Sequence, residues 1–162
     1  MSPSRKLLIA GGLALALWGM SYGLYYAVSV EHQTLEHIGV SLATGFASAA
    51  RGNMPSAHES LRQYSDANFA YTRQVDVHSH WIGLAMLLIA LGAAFNRVAF
   101  AERLKCWLAA GLVAGSVIFP LGVILQTLDR GTGPKLIAVA GVALVTVSLA
   151  VVAIGFARRR RV

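Results

Sequence analysis

Four long apolar segments constrain the fold of this chain more than any other feature. They cover about residues 7–30, 81–100, 107–128 and 136–156, and Arg97 is the only charged residue within them. Each is longer than the roughly 18 apolar residues that a helix needs to cross a bilayer. The whole chain is only 13% charged, whereas soluble domains average about 25%. The sequence therefore predicts a single all-α membrane domain with four transmembrane helices.

The basic residues predict how these spans are oriented. One side of the predicted bundle carries nine of them: Arg5, Lys6, Arg97, Arg103, Lys105 and the tail Arg158–Arg161. The opposite side carries the other basic residues together with every acidic residue except Glu102. The positive-inside rule then predicts a multi-pass protein of a bacterial-type inner (plasma) membrane with both termini in the cytoplasm. Because the basic residues flank the spans, they are expected to contact lipid headgroups and to anchor the topology. This accounts for the net positive charge, so no nucleic-acid partner is expected.

The segment between the first two spans, residues 31–78, is long enough to carry structure of its own. Its first half has apolar residues at spacings of three and four, the period of an amphipathic helix: Leu35, Ile38, Leu42 and Phe46. After the breaker "RGNMP", the stretch "SAHE" (Ser56–Glu59) has the form of a capping box that begins a second helix. We therefore expect helices over Glu31–Ala50 and Ser56–Gln74.

These two helices are expected to extend spans one and two into an antiparallel extracytoplasmic hairpin. Its packing would join the apolar positions of the first helix to those of the second: Leu61, Tyr64 and Phe69. The alternative is a surface hairpin attached only loosely to the rest of the chain.

All five histidines fall on the predicted outer side of the membrane. Asp76 and His80 are four residues apart and share a helical face. That spacing lets a carboxylate accept a hydrogen bond from one imidazole nitrogen while the other nitrogen binds a metal. The hairpin would bring His32, Glu36 and His37 close to Asp76, His78 and His80. The four histidines and Glu36 are the candidate metal ligands, and Asp76 is the residue expected to orient His80. Imidazole and carboxylate ligands suit copper, iron or zinc without selecting among them.

His78 and His80 are only two residues apart, so on a helix they point to roughly opposite sides. They could converge on one metal only where the backbone is extended. The alternative to any metal is that the histidines are interfacial polar residues or hydrogen-bond partners.

The stretch "VDVHSHWIGLAMLLIALG" (Val75–Gly92) resembles the second helix of the haem-copper oxidase subunit I superfamily. In that family the helix begins outside the membrane and carries a haem-ligating histidine near its outer end, followed by glycine and aliphatic residues. The resemblance implies His80 as a ligand of haem b, with Gly83 leaving room for the porphyrin beside the helix. This chain has four spans instead of twelve, and spans three and four contain no histidine. A second axial ligand would therefore have to come from His32, His37 or another subunit.

Two functions remain open on the sequence alone. The first is haem or transition-metal binding at the outer face, in electron transfer or as an accessory to a respiratory system. The second is a metal-free membrane scaffold or assembly subunit whose hairpin binds a partner protein. No nucleophile–base pair, phosphate loop or zinc-protease motif is found, so we do not expect an enzyme on its own. The expected partners are the lipid bilayer and either a second copy of the chain or a respiratory complex. A homodimer is possible because "GMSYG" (Gly19–Gly23) and "GLVAG" (Gly111–Gly115) permit close helix contact within or between chains.

Overall fold

The computed structural model describes residues 1–158, which form five α-helices and one 3₁₀ turn. The helices are α1 (Pro3–Ser29), α2 (Glu31–Ala50), α3 (Met54–Ala94), α4 (Glu102–Leu125) and α5 (Thr132–Arg158), and the 3₁₀ turn Phe95–Arg97 follows α3. The predicted all-α class is confirmed. Arg159, Arg160 and Arg161 of the predicted basic tail lie outside the described residues.

Four of these helices, α1, α3, α4 and α5, are long and apolar enough to cross a membrane. They contain the four apolar segments found in the sequence, with ends that differ by a few residues. Leu17, Leu136 and Val147 are among the large apolar side chains on their outer surfaces that stay well exposed. Water would solvate such a surface poorly, whereas lipid tails would solvate it well.

The chain divides into two compact units. Unit 1 consists of Met1–Met20 and the chain from Asp76 onward, and unit 2 consists of Ser21–Val75.

In unit 1, α4 and α5 pack through glycines that bring the two backbones close together. A Cβ at Gly115 would lie 2.8 Å from the carbonyl oxygen of Gly141, and one at Gly141 would overlap the backbone of Phe119. A Cβ at Gly122 would likewise overlap the backbone of Ala138. Small residues permit the close van der Waals packing that holds helices together in lipid. The "GLVAG" pattern therefore serves packing within the chain.

Hydrogen bonds between helix ends close one end of unit 1. The amide of Ser4, at the start of α1, donates to Glu102 Oε1 over 3.0 Å. This contact satisfies a free helical N–H and sets a carboxylate at the positive end of α1. Two further bonds lie at the same end: Arg5 Nε to the Gly92 oxygen (3.0 Å) and the Ala99 amide to the Gly155 oxygen (3.1 Å). The start of α1 and the end of α5 therefore lie at the same end of unit 1.

In unit 2, the fully buried positions between α2 and α3 are small residues, whereas the large apolar residues that the sequence suggested are partly buried or exposed. The buried positions are small on both helices: Ser41, Gly45 and Ser48 of α2 with Ala57 and Ser60 of α3. Leu35 and Phe46 instead leave 45% and 67% of their surface exposed. The centre of the contact therefore differs from the prediction at Leu35 and Phe46, because small residues let the helix axes approach more closely; Ile38, Leu42, Tyr64 and Phe69 are partly buried.

The turn between α2 and α3 begins α3 earlier than predicted. Gly52 has φ +74°, a left-handed conformation that glycine adopts without strain and that reverses the chain after α2. Asn53 then caps α3, since its Oδ1 accepts the Ser56 amide over 3.2 Å. The predicted capping box at Ser56 is therefore wrong: Ser56 lies inside the first turn, and its hydroxyl lies 3.2 Å from that of Ser48.

Candidate functional site

His78 and His80 both lie well inside the continuous helix α3, so the extended backbone that would let them converge is absent. Two residues correspond to a rotation of about 200° around the helix axis. His78 accordingly reaches α1, where its Nδ1 lies 3.0 Å from the carbonyl oxygen of Gly19. His80 instead faces α4, with its ring edge-to-face against Phe119 at 4.7 Å between centroids. The two imidazoles therefore do not share one metal.

His80 interacts with Asp76 as the spacing of four predicted, but through a different atom. Its Nδ1 hydrogen-bonds the backbone carbonyl oxygen of Asp76. A carbonyl oxygen in a helix points along the axis towards the residue four positions on, so the imidazole reaches the carbonyl before the carboxylate. The orienting group shown is therefore the backbone carbonyl, and a role for the Asp76 carboxylate stays a prediction.

This bond also sets the tautomer of His80. A carbonyl oxygen can only accept, so Nδ1 carries the proton, and in a neutral ring Nε2 has the lone pair. Nε2 is then the nitrogen that could ligate a metal. On the same face one turn further on, Gly83 is exposed, and a Cβ there would meet no other side chain within 4 Å. The surface at Gly83 is therefore open, and the place for a porphyrin beside His80 stays a prediction.

The remaining predicted ligands lie on α2, in unit 2. His32, Glu36 and His37 are all exposed there. His37 borders a shallow depression of about 290 Å³ with Thr34 and Ala67. Within residues 1–158, no three His, Cys, Asp or Glu side chains are grouped so that they could hold a metal ion. A metal site shared by these residues therefore stays a prediction.

An apolar cleft between α1, α3 and α4 is the feature of unit 1 that the sequence did not reveal. It has a volume of about 360 Å³, within the range of ligand pockets. Trp18 and Trp81 line the cleft and pack edge-to-face, with their ring centroids 6.1 Å apart. The other lining residues are small or aliphatic: Gly11, Ala14, Leu15, Val113, Val117 and Leu121. Gly11 and Ala14, three residues apart on α1, are the only sequence signal of this concavity.

The cleft and the histidines differ in chemistry. The cleft is lined by apolar groups and can accept an apolar chain. His80 is a single imidazole that could ligate a metal, and α3 itself fixes its orientation.

Comparison of the chain with protein-family models, with curated proteins and with solved structures gives no match.

Proposed function

We propose that this chain is a multi-pass membrane protein that acts as a metal-free scaffold or assembly subunit. Its working part is the pair formed by α2 and the first half of α3, which projects from the bilayer and binds a partner protein. The observation that carries this proposal is the exposed apolar surface on that pair, which includes Leu35, Phe46, Met54 and Leu61. A helix pair that faced only water would turn such residues inward.

The length of α3 supports a projecting arm. Its 41 residues are about twice the roughly 20 residues that a helix needs to cross a bilayer. All the charged residues of α3 precede His78: Glu59, Arg62, Asp66, Arg73 and Asp76. The part of α3 before His78 therefore fits an aqueous environment, and the apolar part after it fits lipid.

The contacts within unit 2 support an antiparallel hairpin as the form of this arm. At one end of α2, the Tyr71 hydroxyl donates to Glu31 Oε1 over 3.4 Å. At the other end, the hydroxyls of Ser48 and Ser56 lie 3.2 Å apart. The start of α2 therefore meets a later part of α3 than its end does, as in a hairpin. The charge distribution along the chain supports an extracytoplasmic position for it.

Photo-crosslinking in native membranes tests the partner-binding arm. A benzophenone amino acid at Phe46 is expected to give a crosslinked protein adduct, because this side chain is exposed on the apolar surface. The matched control is the same amino acid at Thr44, which is also exposed but lies about 160° around α2 from Phe46. Adducts of equal yield at both positions, or none at Phe46, would contradict the proposal.

A second function, binding of haem or a transition metal in electron transfer or as a respiratory accessory, is favoured by the geometry of His80. Metal-ligating histidines usually donate their other ring N–H to a carboxylate or a backbone carbonyl, and His80 has this bond to Asp76. His80 would supply Nε2, and His32, His37 or another subunit would supply a second ligand. The group would provide a redox centre or a Lewis acid beside the middle of α3.

The absorption spectrum and metal content of gently purified protein separate the two functions. The scaffold function predicts neither a Soret band nor bound copper, iron or zinc. The second function predicts one of them, with complete loss in His80→Ala. His58→Ala is the control, since His58 is exposed on the first turns of α3 in unit 2.

A further inference from the structure

The apolar cleft of unit 1 lies between two helices that run in the same direction. α1 and α4 begin side by side, because the amide of Ser4 donates to Glu102 Oε1 over 3.0 Å. Further along they touch, since a Cβ at Gly11 would lie 2.8 Å from Val113 Cγ2. The cleft follows beyond this contact and extends along α1 to Trp18. The contact of Gly11 with Val113 therefore closes one end of the cleft.

α3 forms the back wall of the cleft. Trp81 lines it and has only 2% of its surface exposed. Behind the cleft α1 lies close to α3, because a Cβ at Gly19 would be 3.0 Å from the Cβ of Trp81. Trp18, which packs edge-to-face on Trp81, is 59% exposed. The side of the cleft that stays open therefore faces away from α3.

This open side continues into the outer surface of the membrane-spanning helices. Val117 and Leu121 line the cleft on α4 and are 39% and 40% exposed, and Leu17, next to Trp18, is 70% exposed. Lipid tails solvate such a surface well. α1, α3 and α4 are all long and apolar enough to cross a membrane. The cleft is thus continuous with the surface that contacts lipid, and its occupant comes from the hydrocarbon part of the bilayer.

The size of the cleft excludes a partner helix as its occupant. From Gly11 to Trp18 the cleft runs about 10.5 Å along α1, and a helix roughly 10 Å wide would fill about 800 Å³ over that length. The cleft offers about 360 Å³. A helix could lie across the opening but would leave the space beneath it unfilled. The occupant must therefore be thinner than a helix.

The chemistry of the lining excludes polar occupants. The indole N–H groups of Trp18 and Trp81 are the only polar side-chain groups among the lining residues. A buried water needs roughly two to four hydrogen-bond partners. A quinone head would bring carbonyl oxygens, whose burial without hydrogen bonds is unfavourable. A plain hydrocarbon chain loses no hydrogen bond when it enters the cleft.

We infer that the cleft binds one acyl chain of a membrane phospholipid. The chain enters beside Trp18 and Trp81 and ends at the contact of Gly11 with Val113. The headgroup stays at the bilayer surface on the tryptophan side, since tryptophan favours that level and all the charged residues of α3 precede His78. This inference does not depend on the proposed function, because the cleft lies in unit 1 and the partner-binding arm lies in unit 2.

Photolabelling of the full chain in nanodiscs of phosphatidylethanolamine and phosphatidylglycerol tests the site directly. The probe is a trace of phosphatidylcholine that carries a diazirine near the end of one acyl chain. Leu15 lines the cleft and is otherwise buried, with 6% exposed, whereas Val147 is 62% exposed on α5 outside the cleft. We expect stronger labelling at Leu15 than at Val147. Labelling that follows exposure, with Val147 above Leu15, would overturn the inference because lipid would then act only as a general solvent.

A second measurement blocks the cleft. Ala14→Phe places a ring in the space that the chain would occupy, because Ala14 lines the cleft. Ala10→Phe is the matched control, since Ala10 is exposed one turn earlier on α1 and is not among the lining residues. In native mass spectrometry with stepwise activation, the parent and Ala10→Phe are expected to retain one phospholipid per chain after all others have dissociated. Ala14→Phe is expected to lose it.

The remaining outcomes would contradict the site. Retention of the phospholipid in Ala14→Phe, or its loss from the parent together with all other lipid, would show that the cleft holds no acyl chain. A retained mass that matches a quinone would replace the proposed occupant. Circular dichroism checks that Ala14→Phe is folded, and the photolabelling of the parent needs no substitution.

Discussion

The closest helix contact of unit 1 makes a strong prediction for Gly141→Ala. The new Cβ would overlap the backbone of Phe119. A backbone cannot rotate away as a side chain can, so α4 and α5 must separate by a few tenths of an ångström or more. Overpacking of this kind costs about 1–3 kcal/mol, and we expect the upper end because separation weakens contacts along the whole interface. Alanine returns about 1 kcal/mol through helix propensity. The net destabilisation is therefore about 2 kcal/mol.

Unfolding in mixed detergent micelles, followed by circular dichroism, measures this change in free energy. Gly83→Ala is the matched control, because it adds the same methyl group in a helix where nothing lies within 4 Å. It should leave stability unchanged or raise it by up to about 1 kcal/mol. If Gly141→Ala is as stable as Gly83→Ala, the close approach of α4 and α5 is wrong. Because Phe119 also packs on His80, loss of this contact would alter the candidate site as well.

Three further predictions follow from the arm, its cap and the candidate site. Gln63→Cys in a Cys106→Ser background should react with a membrane-impermeant maleimide only from the extracytoplasmic face, and reaction only from the cytoplasm would reverse the proposed orientation. Asn53→Ala should lower the free energy of unfolding by about 1 kcal/mol through loss of the α3 cap, measured by the same detergent titration, whereas Asn53→Asp should retain most of it. Asp76→Asn should leave the His80 ring resonances in an NMR spectrum nearly unshifted, because its backbone carbonyl is unchanged; a large shift would assign the orienting role to the carboxylate.

The helices were largely predictable because each rests on a local pattern. Glu31–Ala50 was predicted to the residue, and the four apolar segments lie in the four longest apolar helices. Their ends were less certain: span two was expected to reach residue 100, but α3 ends at Ala94 and a 3₁₀ turn follows. Apolar residues at a membrane interface continue past a helix end without any change in composition, so hydropathy does not mark where the helix stops.

Packing faces and site contacts were less predictable because they depend on residues distant in sequence. The period of Leu35, Leu42 and Phe46 predicted a helix correctly but did not identify the small residues that are fully buried between α2 and α3, since periodicity favours large apolar residues over small ones. Similarly, the spacing of four identified the Asp76–His80 pair but not its acceptor atom. The contacts of His78 with Gly19 and of His80 with Phe119 join different helices, and no local pattern records them.

Native mass spectrometry of the full chain, released from its own membrane in lipid, tests the central claim most directly. The claim is a metal-free membrane scaffold whose α2–α3 arm binds a partner protein. The spectrum should therefore show the chain with a bound protein, with no added mass of haem or of copper, iron or zinc. A single chain mass without any bound protein, or a haem or metal adduct that disappears in His80→Ala, would contradict the account.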